Sequence, residues 1–324
     1  MFLLHSVVLL LSTSKDVNSG RYFSLLQQLY NIKRRFAAGA TMKVVLGTNC
    51  KRLGRSLADE LKCGVVEPEM RRFPDGDLYV RCAEELDKET AVILQTPFTD
   101  PMIVEHRLVQ DAVSNAGAER VISIAPYMSY SRQDKPFKRG ESASAFPVLD
   151  WLASGCDELV LVDAHNPDII GEGGKIHNLV PAHSLARRLG GITDVVLAPD
   201  KGAFERAEMV AKILGKPCEH IRKTRIDAHT VKMDAGNLDV AGLRVAIVDD
   251  IISTGGTMLK AAQQLKKMGA LKVYGLASHG MFSKTDLSRL QEGLDIVAVS
   301  GSLDTPVSTV DLSQELSNIV KELD

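Results

Sequence analysis

Excess charge is missing from this 324-residue chain: 39 Lys and Arg stand against 41 Asp and Glu, a formal net charge of −2. No field of one sign draws it to nucleic acid or to an anionic membrane, so any phosphate it handles must meet cations placed locally. Cysteine is scarce and scattered. The five residues (Cys50, Cys63, Cys82, Cys156, Cys218) form no CxxC pair and no metal-ligand spacing. That points to reduced thiols in a cytoplasm, mostly buried as small apolar residues. A membrane-spanning run is missing too. The apolar stretch MFLLHSVVLLLSTS opens the chain, is too short for a span and has no basic segment ahead of it. No Ser/His/Asp or Cys/His constellation stands out.

What remains is globular: 45% hydrophobic and 25% charged, over a length that suits two domains. Residues 1–41 read as an N-terminal extension. A secretory signal and an organellar transit peptide, with Lys33, Arg34 and Arg35 ahead of the small run Ala37–Ala40, are two readings of it. The favoured third is a translation start at Met42, where MKVVLGTNC begins as a clean first strand.

From Met42 strand-like and helix-like segments alternate. Short apolar runs at Lys43–Leu46, Ala91–Leu94, Val121–Ala125, Leu159–Val162, Val195–Ala198, Val245–Val248 and Val273–Ala277 predict strands. Helical spacing at Arg52–Leu61, Ile103–Ala116, Ser144–Ser154, Phe204–Leu214 and Thr257–Met268 predicts helices between them, with Gly117 and Gly269 as C-caps. The rhythm argues for parallel sheets flanked by helices, in two tandem domains at 42–182 and 183–324. The last helix is a candidate to pack back on the N-terminal domain. No residue-level repeat relates the halves.

The most informative stretch is VAIVDDIISTGGTM, Val245–Met258. A buried strand would deliver Asp249 and Asp250 to its carboxyl end, where open α/β sheets bind ligands. Ser253, Thr254, Gly255, Gly256 and Thr257 offer hydroxyls and close-approach amides at a helix N-terminus, an anion site. The carboxylates can accept from ribose hydroxyls or hold magnesium.

Four further segments carry chemistry beside a plainer reading. RRFPDGDLYVR (Arg71–Arg81) reads locally as a hairpin turn with Phe73 packed below. APYMSYSRQDKPFKRGE (Ala125–Glu141) is a strand-end loop whose Arg132, Lys135, Lys138 and Arg139 suit a polyphosphate, or are simply solvated. In LVLVDAHNPD, Asp163 and His165 face one side if the strand is still extended, so His165 could ligate a metal with Asp163 beside it; a structural histidine is the alternative. APDKGAFERAE offers Asp200 to magnesium or ribose, or as a helix cap. In RKTRID, Lys223 and Arg225 point the same way if extended, as a clamp on a transferring phosphoryl group needs.

VDDIISTGGT resembles the phosphoribosyl diphosphate (PRPP) loop of type I phosphoribosyltransferases and PRPP synthetases. The whole order FPDGD, YSRQD, DAH, PDKG, KTR, VDDIISTGGT resembles ribose-phosphate pyrophosphokinase, or PRPP synthetase, from Met42 to about the C-terminus. The compact spacing and KTRID look most like archaeal members. The resemblance implies an α/β fold of two tandem phosphoribosyltransferase-like (type I) domains with the site between them. It implies transfer of the β,γ-diphosphoryl group of ATP to the 1-hydroxyl of ribose 5-phosphate, giving PRPP and AMP for nucleotide biosynthesis. By the matching motifs, Phe73, Asp75 and Asp77 would contact adenine from a neighbouring subunit, and Arg132 and Gln133 would hold ATP. His165 would bind Mg2+, and Asp200 would contact ribose 5-phosphate or a second magnesium. Asp249, Asp250 and Ser253–Thr257 would hold ribose 5-phosphate, and Lys223 and Arg225 would stabilise the transition state. A homo-oligomer, at least a dimer, follows, with a cytoplasmic location and no nucleic-acid or membrane partner. The chain departs from the pattern at Asp77, usually Glu, at Ala198 and Ala203 around Pro199-Asp200-Lys201-Gly202, and at Asn166. A catalytically silent regulatory relative and a PRPP-consuming transferase are the competing readings.

Overall fold

The computed structural model describes residues 41–171, 174–225, 231–234 and 239–324, with backbone alone for 222–225 and 231–234. The first half runs β1 (Met42–Leu46), α1 (Lys51–Leu61), β2 (Gly64–Val66), β3 (Glu69–Arg72), β4 (Leu78–Arg81) and β5 (Thr90–Leu94). It continues through α2 (Asp100–Asn115), β6 (Arg120–Ala125), α3 (Ala145–Ala153), β7 (Glu158–Val162) and β8 (Ile176–Leu179). The second half runs α4 (Ala182–Leu189), β9 (Val195–Ala198), α5 (Phe204–Leu214), β10 (Cys218–His220), β11 (Arg222–Arg225) and β12 (Val231–Asp234). Then come β13 (Arg244–Ile252), α6 (Gly256–Lys267), β14 (Lys272–Gly280), α7 (Lys284–Gly293), β15 (Ile296–Ser300), β16 (Ser308–Val310) and α8 (Ser313–Leu323).

The two halves share one topology. Six strands in the order β2-β1-β5-β6-β7-β8 form the first sheet, and β10-β9-β13-β14-β15-β16 form the second. Every pairing within these sheets is parallel. After the second strand of each half comes a separate antiparallel ribbon, β3–β4 and then β11–β12. The duplication that side chains conceal is plain in the backbone. Parallel strands need apolar residues on both faces, because helices cover both. Thr90–Leu94 is buried throughout, and Val245, Ala246, Ile247 and Val248 have no exposed surface.

Gly117 and Gly269 take φ of +95° and +92° one residue beyond the caps of α2 and α6, the left-handed turn that stops a helix. The C-terminal helix leaves its own sheet. Leu312, Leu316 and Val320 are fully buried in one cluster with Val44 and Leu46 of β1, Leu57 of α1 and Val92 of β5. From α8 the Glu315 carboxylate accepts from the His183 and Ser184 amides at 3.2 and 3.0 Å, capping α4. Thr96 Oγ1 donates to the Ser302 carbonyl at 2.7 Å, a buried link from the first half to the second.

Candidate functional site

In the second sheet β9 lies between β10 and β13, so the strand order reverses at the β9/β13 boundary. A crevice opens there, beyond the carboxyl ends of the strands. A cavity of about 580 Å³ is lined by Asp200, Gly202, Ala203 and Arg206, by Asp249 to Met258, and from the other half by Arg132 and His165. Expected residues from both halves thus share one space.

The cradle follows from local chemistry. β13 runs past its apolar core through both carboxylates to Ile252. Gly255 then takes φ +72° and serves as N-cap of α6 without any side-chain cap bond. The first-turn amides of α6 are left for an anion. A β-carbon on Gly255 would sit 2.6 Å from the Leu290 side chain, so glycine is required twice over.

The carboxylates are unequal. Burial and the charge of Asp250 push Asp249 up to about 7. Burial would raise Asp250 as well, but the His165 hydrogen bond and the Arg206 charge outweigh it and hold Asp250 low. His165 Nδ1 lies 2.5 Å from Asp250 Oδ2, and this bond raises the imidazole above its ordinary value against the effect of burial. Asp200 Oδ1 accepts from the Gly202 and Ala203 amides at 3.0 and 3.3 Å in the turn ahead of α5 while lining the cavity; the N-cap of α5 is Ala203, without a side-chain cap bond.

Asp163 departs from expectation. The strand ends at Val162 and Asp163 takes φ +44°, which breaks the alternation that would have set it beside His165. Its carboxylate turns to Arg206, which donates through Nε at 3.0 Å and Nη2 at 2.8 Å, and to Ser278 Oγ. The partner of His165 is Asp250. Neither Arg206 nor this pairing was named from the sequence. Arg206 lies inside the segment read around Asp200, but nothing in linear spacing joins residues 163 and 206.

Other expected residues lie elsewhere. Gln133 accepts from Ser144 Oγ at 3.1 Å, within its own loop. Of the loop cations only Arg132 lines the cavity; the Lys135 ammonium sits 6.0 Å over the Phe137 ring, and Glu141 ties the Phe137 and Lys138 amides. Phe73, Asp75 and Asp77 form the tip of the β3–β4 ribbon, closed by the Phe73 amide to the Asp77 carbonyl at 2.9 Å. Phe73 is 40% exposed, with its ring edge-on to Tyr79 and the Arg71 guanidinium above both, so it is not packed below the turn. It borders a separate groove with Leu108 and Asn115. Lys223 and Arg225 fall on β11, and their side chains lie outside the described residues.

Comparison with known proteins finds the same order of two domains. Residues 42–154 match the N-terminal domain of ribose phosphate pyrophosphokinase, and residues 182–280 match the phosphoribosyl transferase domain. A ribose-phosphate pyrophosphokinase of Pyrococcus furiosus is 39% identical over 86% of this chain and 100% of its own length. The chain belongs to the ribose-phosphate pyrophosphokinase family. A second relative in that family, from Thermococcus kodakarensis, is 41% identical over 81% of this chain and 96% of its own. The crystal structure of a phosphoribosylpyrophosphate synthetase from Mycobacterium smegmatis superposes with a TM-score of 0.76. It is 30% identical and covers 87% of this chain and 98% of its own. Both halves of the family's architecture, two phosphoribosyltransferase-like domains with parallel sheets, are present.

Proposed function

We propose that this chain transfers the β,γ-diphosphoryl group of ATP to the 1-hydroxyl of ribose 5-phosphate, releasing PRPP and AMP. The observation that carries the reading is the shared cavity, where Ser253–Thr257, Asp249, Asp250 and Asp200 from one half meet Arg132 and His165 from the other. In this reading the amides and hydroxyls of Ser253, Thr254, Gly255, Gly256 and Thr257 hold the 5-phosphate. Asp249 and Asp250 accept from ribose hydroxyls, and Arg132 meets the polyphosphate. Phosphoryl-type transfer asks for in-line positioning and charge neutralisation rather than a covalent nucleophile. Lys223 and Arg225 are assigned to the charge that develops on the transferred group.

The donor set suits Mg2+. Asp200 and Asp249 are hard oxygen donors on the cavity wall, and His165 has its Nδ1 engaged by Asp250, leaving Nε2. Among the described residues no three His, Cys, Asp or Glu side chains form a metal cage. That matches a cation held by one or two protein groups together with substrate phosphates. Bound there, magnesium would neutralise phosphate charge and act as a Lewis acid.

The exposed tip at Phe73, Asp75 and Asp77, outside the cavity, supports its service to the adenine site of a neighbouring copy, with Gln133 on the ATP side. At least a dimer is then the active unit, which light scattering under assay conditions tests; a fully active monomer refutes it. All five cysteines are free, and no helix among the described residues is long and apolar enough to cross a membrane. We assign the chain to the cytoplasm. Incubation with MgATP and ribose 5-phosphate, with AMP and PRPP measured, tests the reaction. A folded protein that yields neither refutes it, in favour of a silent relative or a consumer of PRPP.

A further inference from the structure

We propose that Asp163 and Arg206 are a positioning pair that holds the His165 wall of the cavity in register with Asp250. Turnover then depends on the pair more than ribose 5-phosphate binding does. This rests on the reaction assigned above.

Three side chains of the second half, Arg206, Ser278 and His279, converge on this one residue of the first. The Asp163 carboxylate, 1% exposed, receives both the Nε and Nη2 edges of Arg206 from α5. Ser278 Oγ from β14 donates to the same carboxylate, and His279 Nε2 lies 3.3 Å from the Asp163 carbonyl oxygen. The loop beyond is pinned as well. The Ala164 amide donates to Asn178 Oδ1 at 2.8 Å, and His165 then reaches Asp250. Sliding of one half against the other would break this fork before it disturbed either sheet.

Stability alone is a poor explanation for such a pair. Packed apolar side chains hold two surfaces together as well as a buried ion pair does, because burial of both charges offsets their attraction. What a two-pronged guanidinium–carboxylate fork adds is a fixed geometry. The geometry at stake joins the two walls of the cavity. The phosphate cradle, Asp249, Asp250 and Asp200 all belong to the second half and move together. Arg132 and His165 belong to the first, so a loosened fork shifts them against an intact sugar-phosphate site.

The test compares Asp163→Asn, Arg206→Gln, their double variant and Arg206→Lys with wild type. Each single substitution is expected to lower kcat by about 10²-fold, the scale of a small misplacement of reacting groups. For Asp163→Asn, which keeps the Arg206 charge on the cavity wall, the KM and the calorimetric Kd for ribose 5-phosphate are expected to stay within about threefold, with undiminished binding stoichiometry. The Arg206 variants are compared by kcat at saturating ribose 5-phosphate. Loss of structure alone would lower that stoichiometry. The double variant is expected to be no slower than the slower single, as for two groups acting as one. Wild-type turnover in a folded single variant overturns the proposal, as does a Kd of Asp163→Asn that rises as far as its kcat falls, or a double variant whose loss is the product of the two. If the Asn and Gln variants do not fold, Arg206→Lys decides: it keeps the charge without the fork, and full turnover there refutes the pair. An inactive wild type refutes the assigned reaction instead.

Discussion

The Nδ1 of His165 and the Oδ2 of Asp250 meet at 2.5 Å, so one hydrogen bond joins the two walls of the cavity. It couples a half-exposed imidazole to a buried carboxylate. A hydrogen bond to a charged group is worth about 1.5–3 kcal/mol. Asp250→Ala is therefore expected to lower kcat/KM by roughly 10- to 100-fold from this bond alone. Steady-state rates of PRPP formation check it; an unchanged kcat/KM would remove the bond from the mechanism.

Lys223 and Arg225 are assigned to the transition state, where a well-placed cation on a transferring phosphoryl group contributes about 10³-fold or more. Lys223→Ala is expected to lose that much turnover while ribose 5-phosphate binding, measured by calorimetry, changes far less. A normal rate would strip Lys223 of the role.

The sequence made Asp249 and Asp250, the glycine turn and the strand–helix alternation readable because each is local. Val245–Val248 is apolar on both faces, and Ser253–Thr257 carries its own turn chemistry. Asp163 was misread because one left-handed residue reverses where a side chain points, and apolar periodicity carries no sign of it. Arg206 was overlooked because its partner comes from the other half. The short edge strands β8, β10 and β16 have only three or four residues each, so their places are set by tertiary packing.

Gly255→Ala puts a β-carbon at φ +72° and 2.6 Å from Leu290. The backbone strain costs about 1–3 kcal/mol before the clash is counted. Stability to urea and affinity for ribose 5-phosphate are both expected to fall. Gly215→Ala is the control: φ is +63°, but nothing lies within 4 Å of the new carbon. If the two variants lose the same stability and the same affinity, the cradle does not depend on the Leu290 contact.

His106 has no exposed surface, with Nδ1 3.0 Å from the Gln95 carbonyl oxygen and Nε2 2.6 Å from Ser123 Oγ. Burial lowers it from 6.5 to about 4. Between these values the unfolded chain binds the proton and the folded one does not, so stability is full above pH 6.5 and drains away as pH falls toward about 4. The slope is about 1.4 kcal/mol per pH unit, on the order of 3 kcal/mol in all. Urea midpoints across that range are expected to fall more steeply for wild type than for His106→Gln. Since buried His279 titrates in the same direction, the difference between the two proteins is the quantity to read. Parallel curves would mean that His106 is protonated without cost.

Because Leu312, Leu316 and Val320 complete the core of the first sheet, that sheet cannot be finished in the order of its synthesis. A nascent chain with both sheets already emerged still bears an open apolar stripe over β1, α1 and β5, the kind of surface on which partly folded chains aggregate or meet chaperones. Closure waits for the helix Ser313–Leu323, so a chain without it would leave the apolar face of β1, α1 and β5 uncovered.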